Sequence, residues 1–334
     1  MRKLLMGTAA TVAALAATGC ATMPSGGSAF SAGCNRDCLI DLTDSYLAAL
    51  AAHDPSAVPL AANLRTVENL ERIEPGEGLW STTTAEPTTF KVYVPDTELQ
   101  QVGFIGVMGG KNADGEDSPV MIALRLKLAP SGEIVEAEHL VQAVSERSMA
   151  NLNAPRPGLL TEVPPAQRLS AQSLRRIGSH YYDALDDNNG SRMPFAPDCE
   201  RRENGITTAG PKAGPGPVST SNQAPVARDC AGQMDSQSFI YIENIDDRRM
   251  VGADPVTGLV MGFSHFRHSF TNLPYTVIHS DGSTSERNAE NMPYNPFDMP
   301  AAHLSKVGPD HLVHEIEAVG VTGIPFNAPT GWEE

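Results

Sequence analysis

One stretch of this chain occurs twice without a gap, and it constrains the fold more than any other sequence feature. Residues 46–69 read YLAALAAHDPSAVPLAANLRTVEN, and residues 181–204 read YYDALDDNNGSRMPFAPDCERREN. The residues that recur in step include the pairs Tyr46/Tyr181, Glu68/Glu203 and Asn69/Asn204. A period near 135 residues is too long for a solenoid repeat. The sequence therefore predicts two copies of one domain in 334 residues, a length that suits about two domains.

The repeat sets the expected domain boundaries. A Pro-rich stretch at 151–170 reads as the linker between the copies, and two polar or Gly/Pro-rich stretches read as insertions in the second copy. The expected segments are a signal peptide at 1–19, a tether at 20–37, a first domain at 38–150, and a second domain at 171–334 with insertions at 205–229 and 269–300.

The N-terminus has the pattern of a bacterial lipoprotein signal. Arg2 and Lys3 precede a short apolar run that ends in Ala-Thr-Gly-Cys, and the run is too short to span a bilayer. We therefore expect Cys20 to become the lipidated N-terminus of an outer-membrane lipoprotein on the periplasmic side of the envelope. The alternative is an ordinary secretory signal and a soluble secreted protein. In either case only the lipid anchor would contact a membrane.

The other four cysteines form an even set, which in an oxidising compartment indicates disulfides. A bond between Cys199 and Cys230 would close the Gly/Pro-rich stretch, and Cys34 with Cys38 is the natural remaining pair. Metal ligation by these thiols is the rival interpretation, and the lack of CxxC spacing disfavours it.

The net charge of -16 argues against a nucleic-acid partner, because phosphate binding requires clustered Lys and Arg. Solubility is its ordinary explanation. The sequence does not decide the oligomeric state, so a homo-oligomer stays open.

Hydrophobic periodicity predicts one helix followed by strands in each copy. We expect Pro59 to Ala61 to start a second helical turn, and Ser280 to Ser283 to form a hairpin turn. The predicted helices are 39–51 and 174–185, and the predicted strands are 90–94, 102–107, 121–128, 134–141, 239–242, 248–251, 258–266 and 311–319.

The segment YLAAL, followed by His-Asp-Pro and LAANLRTVEN, resembles the NTF2-like superfamily, which includes SnoaL-like proteins and ketosteroid isomerase. Residues 34–334 also resemble an uncharacterised domain-of-unknown-function family of secreted fungal and bacterial proteins, through the ENG and GEGLW segments. The resemblance implies an α+β fold of two tandem NTF2-like cone domains. In such a domain, helices and a curved antiparallel sheet enclose an apolar pocket.

Ketosteroid isomerase carries its oxyanion-stabilising tyrosine in a stretch similar to the one that begins at Tyr46. Its general base is an aspartate after Thr-Val-Glu, where this chain has Asn69, and the second copy has Asn204. An amide cannot accept a proton at neutral pH. Asn69 and Asn204 therefore argue against steroid isomerisation by that route.

Other polar and aromatic residues remain as candidates for a pocket. On the strand GFSHFRHS, His265 and His268 face opposite sides, so one of them points inward. A pocket histidine can act as an acid or a base near neutral pH. Each candidate also has a structural alternative, as a core ring, an internal ion pair or a turn-closing side chain. The catalytic candidates are His268, Tyr181 and His180, and the ligand-binding candidates are Tyr46, Asn69, Trp80, Arg202, Glu203, Asn204 and His265.

No nucleophile elbow, P-loop or dinucleotide fingerprint occurs, so we expect no cofactor. His311 and His314 would face opposite sides of a strand, which disfavours a metal site. The matched pairs Glu136/Glu315 and Glu138/Glu317 are expected to face solvent. The favoured function is a pocket that binds a small apolar or aromatic molecule and acts on it by lyase, dehydratase or isomerase chemistry. A non-catalytic binding protein and a structural envelope protein are the alternatives.

Overall fold

The computed structural model describes residues 33–112, 114–211 and 228–333. It is an α+β structure with few helices. The elements of the first half are α1 (Arg36–Ala52), a 3-10 turn (Pro55–Ala57), β1 (Leu60–Glu68), β2 (Glu71–Ile73), α2 (Leu79–Thr82), β3 (Lys91–Asp96), β4 (Gln101–Lys111), β5 (Asp117–Leu128) and β6 (Ile134–Ala143).

A connecting segment contains α3 (Glu146–Met149), α4 (Pro157–Leu160) and a 3-10 turn (Pro165–Gln167). The second half follows. Its elements are α5 (Ala171–Asp186), a 3-10 turn (Gly190–Arg192), β7 (Phe195–Glu203), β8 (Ile206–Ala209), α6 (Cys230–Asp235), β9 (Asn244–Asp254), β10 (Leu259–His268), β11 (Tyr275–Ile278), β12 (Thr284–Arg287), β13 (Phe297–Val307), β14 (Val313–Gly320) and β15 (Ile324–Pro325).

The main sheets of the two halves have corresponding strand orders. The first runs β2-β1-β6-β5-β4-β3, and the second runs β8-β7-β14-β13-β10-β9, with β15 paired to β13. In both sheets one pair is parallel, β1 with β6 and β7 with β14, while the other pairs are antiparallel. Glu68 pairs with His139 in the first sheet, and Glu203 pairs with Ala318 at the corresponding place in the second.

A long helix covers the inner face of each sheet. The Asn35 side chain accepts a hydrogen bond from the Cys38 amide and caps α1, and the Ser170 side chain caps α5 in the same way. α1 ends at His53, whose left-handed backbone has φ of 54°. Each helix buries one apolar face, with Tyr46 on α1 and Tyr181 on α5. We call the space between each helix and its sheet the first cone and the second cone.

The outer faces of the two sheets pack against each other. Val94 and Ile105 of the first sheet meet Met261 and Phe263 of the second in one buried apolar cluster. Burial of each such side chain contributes about 1.5–3 kcal/mol. The sheets approach so closely that a Cβ on Gly103 would lie 2.6 Å from the Met261 sulfur. Both faces of each sheet are therefore buried, one in a cone and one in this inter-sheet layer.

Two reciprocal ion pairs join each helix to the opposite half. Arg36 of α1 donates from Nε and Nη2 to the Asp254 carboxylate, at 3.0–3.2 Å. Arg175 of α5 donates from Nη1 to Asp96, at 2.5 Å. Both aspartates are buried, and each also accepts backbone hydrogen bonds in the turn after its strand. The two contacts fix how the halves pack together.

We expect Arg175→Met to lower the free energy of unfolding by about 3 kcal/mol, because it leaves the buried Asp96 carboxylate without its cation. The Arg175→Met/Asp96→Asn double variant should lose less, since the uncompensated charge is gone. Urea denaturation measures both values. Arg176→Met, on the exposed side of the same helix, is the control and should change stability by no more than about 0.5 kcal/mol. A loss of the same size in Arg176→Met would contradict this account of the ion pair.

The glutamates that we expected in solvent lie in or beside the inter-sheet layer, so that expectation is wrong. Glu138 is 3% exposed and accepts two 2.7 Å hydrogen bonds from Arg249 of the other half. Glu317 is 0% exposed, and its carboxylate accepts a hydrogen bond from Nη2 of the linker residue Arg156 at 3.2 Å. Burial raises the pKa of Glu317 to about 7, although Arg156 and Arg202 oppose the shift. The error arose because strand alternation cannot identify the solvent side of a sheet that is buried on both faces.

Glu317 should give stability a measurable pH dependence. Between pH 4.5 and 7 folded Glu317 keeps a proton that the unfolded chain releases, so its contribution to stability falls as pH rises through this window. We expect the stability of the wild type relative to Glu317→Gln to decrease from pH 4.5 to 7. Urea denaturation at four pH values measures this difference, and a constant difference across the window would refute the raised pKa.

Several predictions of the sequence can be compared with these elements. The helices, the central strands, the 280–283 turn and both disulfides, Cys34–Cys38 and Cys199–Cys230, are confirmed. Three predictions are wrong. Each main sheet was expected to be antiparallel but contains one parallel pair, because β1 and β7 lie beside the last long strand of their sheet in the same direction. Pro59 to Ala61 leads into β1 instead of a helical turn, and residues 239–242 form turns where we expected a strand. β8 and β13 also extend into the two stretches that we read as insertions.

Cys20 and the signal and tether segments as far as residue 32 lie outside the described residues. Within the ranges that the structure describes, no helix has the length and apolar character needed to cross a membrane.

Candidate functional site

The repeated asparagines close corresponding turns. Asn69 exchanges two hydrogen bonds with the Val141 backbone, at 2.8 and 3.1 Å, and Asn204 does the same with Gly320, at 2.9 and 3.0 Å. Both residues have left-handed backbones, with φ of 48° and 47°, a conformation that Asn tolerates. Each asparagine therefore ties the end of one strand to its parallel neighbour. The repetition of Asn has a structural explanation, and the ligand-binding role that we predicted for it stays a prediction.

The first cone holds a buried hydrogen-bond chain. The Tyr46 hydroxyl lies 2.9 Å from His139 Nε2, and His139 Nδ1 lies 3.0 Å from Glu68 Oε2. The other acceptor site of that Glu68 oxygen takes the Leu79 amide hydrogen, at 2.8 Å. Burial raises the pKa of Tyr46 above its ordinary value, so its hydroxyl stays protonated. The chain satisfies its buried polar groups within the protein.

The rest of the first cone is filled with apolar side chains. Trp80 is 1% exposed and packs edge-on against Tyr46, with ring centroids 5.2 Å apart. Trp80 therefore lies inside the core, and the ligand-binding role predicted for it stays a prediction. Leu50, Phe104 and Met108 have no exposed surface, so they line no void that a water molecule could enter. The first cone therefore has the properties of a closed, packed core.

We expect Tyr46→Phe to destabilise the protein by about 1–3 kcal/mol, because His139 Nε2 would stay buried without a partner. The control is Tyr93→Phe, whose hydroxyl donates to Asp44 in a partly exposed contact and should matter little. Thermal and urea unfolding measure both. Equal stability of the two variants would mean that the Tyr46–His139–Glu68 chain contributes nothing to folding.

The second cone has a charged partner for its tyrosine. Arg201 is 4% exposed and donates from Nε to the Tyr181 hydroxyl oxygen at 2.7 Å. The same guanidinium binds Glu203 at 2.7 Å and the Thr208 hydroxyl at 2.7 Å. Arg201 and Glu203 are two apart on β7, which places both side chains on its inner face. Since Arg201 occupies a lone pair of Tyr181, the hydroxyl hydrogen stays available for another acceptor.

The matched strand registers show how the inner faces differ. Leu124 pairs with His139 in the first sheet, and His303 pairs with Ala318 at the corresponding place in the second. Extending this comparison along the strands shows smaller or polar residues on the inner face of the second sheet. The replacements are Gly262 for Phe104, His303 for Leu124, Ala301 for Ile122 and Gly320 for Val141.

Part of the space that these replacements leave is used by a second tyrosine. A Cβ on Gly262 would lie 2.7 Å from the Tyr182 hydroxyl, so Tyr182 occupies the place next to that glycine. The replacement of Leu124 by His303 places a polar ring on the inner face, and Ser264 adds a hydroxyl there; both residues are almost fully buried. The second cone is thus less apolar than the first.

Two histidines lie in the second cone. His303 contacts Tyr181, with ring centroids 4.8 Å apart, and His268 stacks on Phe297 at 4.3 Å. Burial lowers the pKa of His268 to about 4, and it lowers the pKa of His303 well below its ordinary value. Both rings are therefore neutral at pH 7. Nδ1 of each ring makes no hydrogen bond to the described residues.

Partly exposed side chains mark one end of the second cone. Tyr241 stacks on His268 with centroids 5.3 Å apart, and Phe270 stacks on Tyr241 at 6.2 Å. The negative charge of Glu203 contributes to raising the pKa of Tyr241, after the larger effect of burial. Glu203 itself keeps 27% of its side-chain surface exposed. A carboxylate and a row of aromatic rings therefore form this end, with His268 behind them.

The other predicted residues lie apart from this group. His180 is half-buried on α5, and no hydrogen bond to it is present among the described residues. His265 is on the opposite face of β10 and lies 3.3 Å from the buried Asp298. Arg202 points away from the cone and binds Glu200 at 2.8 Å. The structure thus brings Tyr181, Glu203 and His268 together in one cone, and the roles proposed for all of these residues stay predictions.

Sequence reasoning did not select Arg201, His303 or Tyr241 as site residues. The sequence did not show that β7 is a strand, so its inward-facing arginine, Arg201, could not be told from Arg202. His303 lies on β13, which the sequence analysis did not predict. The signal available for that strand was short, because apolar and polar residues alternate only from Ala302 to Ser305.

Comparisons with known proteins were made for the whole chain. Residues 167–320 match the model of a family described as "Domain of unknown function (DUF8021)". No curated protein matches the chain.

Parts of the chain are similar to solved structures. AusH from Aspergillus nidulans is 12% identical, with 33% of this chain and 88% of that chain covered and a TM-score of 0.28. BvnE pinacolase from Penicillium brevicompactum is 14% identical, with 32% and 84% covered and a TM-score of 0.26. The epoxide hydrolase/cyclase-like enzyme SalBIII, from salinomycin pyran ring formation, is 8% identical, with 45% and 92% covered and a TM-score of 0.27. At these TM-scores the likenesses carry no functional information.

Proposed function

We propose that the second cone binds a small, mainly apolar or aromatic molecule and acts on it by acid–base chemistry of the isomerase, lyase or dehydratase type. The observation that carries the proposal is the replacement of packed apolar residues by Gly262, Ala301, Gly320 and His303 on the inner face of the second sheet. We further propose that the two halves are tandem NTF2-like cone domains. In this proposal the first is a structural core and the second is the working domain.

Tyr181 and Arg201 would stabilise negative charge on the ligand. Arg201 Nε donates to the Tyr181 oxygen, so Tyr181 can direct its own hydrogen to a ligand oxygen. A buried guanidinium behind the hydroxyl strengthens that donation, since charges act strongly where water is excluded. An enolate or alkoxide oxygen that forms during proton transfer would gain most from this arrangement.

His268 and His303 would receive or relay the proton. Both are neutral at pH 7, and Nδ1 of each makes no hydrogen bond to the described residues. Glu203 is a second acceptor at the exposed end of the cone, where it also accepts a hydrogen bond from Arg201. An isomerisation that only moves a proton within the ligand needs no cofactor.

A binding protein without catalysis is the second candidate. The lowered pKa of His268, about 4, makes its ring a weak base, and efficient general bases have a pKa near the working pH. In that case the same cone would hold an apolar ligand through its aromatic rings and one hydrogen bond from Tyr181.

We also propose that the protein is exported and anchored through a lipid on Cys20. The two disulfides support an oxidising compartment. Mass spectrometry of the mature N-terminus tests this directly, because a lipidated Cys20 would be its first residue.

Filling the second cone tests the proposed function. We expect His303→Leu/Ala301→Ile, which installs the residues of the first sheet at matched positions, to abolish ligand binding while the protein stays folded. The measurement is native mass spectrometry of ligands that co-purify, together with thermal shifts in a library of small aromatic compounds. Tyr46→Phe, which alters only the first cone, is the control and should keep the ligand. Unchanged binding by the filled variant would refute the assignment to the second cone.

Once the ligand is identified, its turnover and its affinity can be measured separately. We expect Tyr181→Phe to lower kcat by about 10²–10³, the typical effect of removing one oxyanion donor, with a smaller change in the affinity for the ligand. Chromatography coupled to mass spectrometry measures turnover. Failure of the wild type to convert the bound ligand would favour the binding protein.

A further inference from the structure

A second concave site lies outside both cones, at the end of the first half where α1 begins. It has a volume of about 540 Å³, within the range of about 300–1,000 Å³ that is usual for small-molecule sites. Its walls come from the start of α1, the β3–β4 turn and the β5–β6 turn. The residues named from the second cone do not line it, so the two sites are separate.

The walls of this cavity are fixed by covalent and hydrogen bonds. The Cys34–Cys38 disulfide forms one wall. Gln100 on the β3–β4 turn accepts from the Cys34 amide at 2.6 Å and donates to the Cys34 carbonyl at 3.0 Å, which holds that wall to the sheet. The third wall is a tight turn in which Gly132 has φ of 88° and its amide donates to the Ala129 carbonyl at 2.9 Å. The cavity is therefore preformed.

The chemistry of the lining is aliphatic. Leu42, Leu128, Ala129, two prolines and the disulfide line it, and none of the lining residues in the described part of the chain is aromatic. Those lining residues also include no Lys or Arg. Glu133 is the one charged residue among them. An anionic headgroup would meet this carboxylate with no cation to offset it.

We infer that this cavity binds a neutral molecule with a single alkyl chain, such as a fatty alcohol. The chain would lie along the leucines and the disulfide, and its terminal hydroxyl would donate to the Ser131 hydroxyl oxygen or the Gln100 side-chain oxygen. Flat aromatic ligands find no ring to stack on here, unlike in the second cone. The inference is independent of the function proposed for that cone.

Titration with 1-alkanols tests the inference on the full-length protein. We expect 1-decanol to shift the NMR signals of the Leu42 and Leu128 methyl groups in protein labelled at leucine methyls. Affinity should rise about fourfold per added methylene from 1-hexanol to 1-decanol, since burial of each CH₂ contributes about 0.8 kcal/mol. Decanoate should bind at least tenfold more weakly than 1-decanol. Equal affinity for the two, or no shift with 1-decanol, would overturn the inference.

Variants that fill the cavity test where 1-decanol binds. Leu42→Trp fills the cavity from a half-buried helix position and should weaken 1-decanol binding at least tenfold, as followed by the Leu128 methyl signals. Ala129→Leu fills the same cavity from the opposite wall and serves if Leu42→Trp does not fold. The control is Leu160→Trp, at a position that is 53% exposed and outside the cavity, and it should bind normally. Retained 1-decanol binding in folded variants of both filled positions would place the ligand elsewhere and overturn the inference.

Discussion

The apolar layer between the two sheets is the constraint on which the rest of the molecule depends. It buries the outer faces of β4 and β10, so on these two strands the inner faces are left to enclose a site. Any charge that enters this layer must be paired, because desolvation of an unpaired ion costs several kcal/mol. Glu138 with Arg249 meets that requirement through two hydrogen bonds across the layer. The Arg36–Asp254 and Arg175–Asp96 pairs do the same at its margin.

With the outer faces occupied in this way, the difference between the halves lies in their inner faces. The tyrosine of the long helix is kept in both, but its partner changes from His139 to the Arg201 guanidinium. The hydrogen-bond chain from Tyr46 through His139 to Glu68 is satisfied within the protein and suits a closed core. Burying the Arg201 guanidinium costs free energy unless an anion pairs with it. Its one carboxylate partner, Glu203, is partly exposed. An arrangement that lowers stability in this way is expected at a functional site.

The sequence could predict the features that depend on the local pattern of residues. The helix that carries Tyr181 follows apolar spacing, and the cysteine arithmetic gave both disulfides correctly. The strand pattern also placed His268 and His265 on opposite faces of one strand, as they are in the structure. The sequence could not predict which face of a strand is buried when tertiary packing determines it. Arg201 enters the cone, and Arg202 does not, because β7 pairs with β14 in one register. Glu317 was placed in solvent because nothing local reveals that a second sheet covers it.

The rings around His268 connect the architecture to the chemistry. Phe297 and Tyr241 stack against it, and Tyr241 also packs in a small cluster beneath the β11–β12 hairpin. The second half therefore uses an added hairpin to support the exposed end of its cone. This packing excludes water from His268, and that exclusion lowers its pKa to about 4. A ring so weakly basic abstracts a proton efficiently only if the resulting anion is stabilised, and Tyr181 with Arg201 is the group placed to do so.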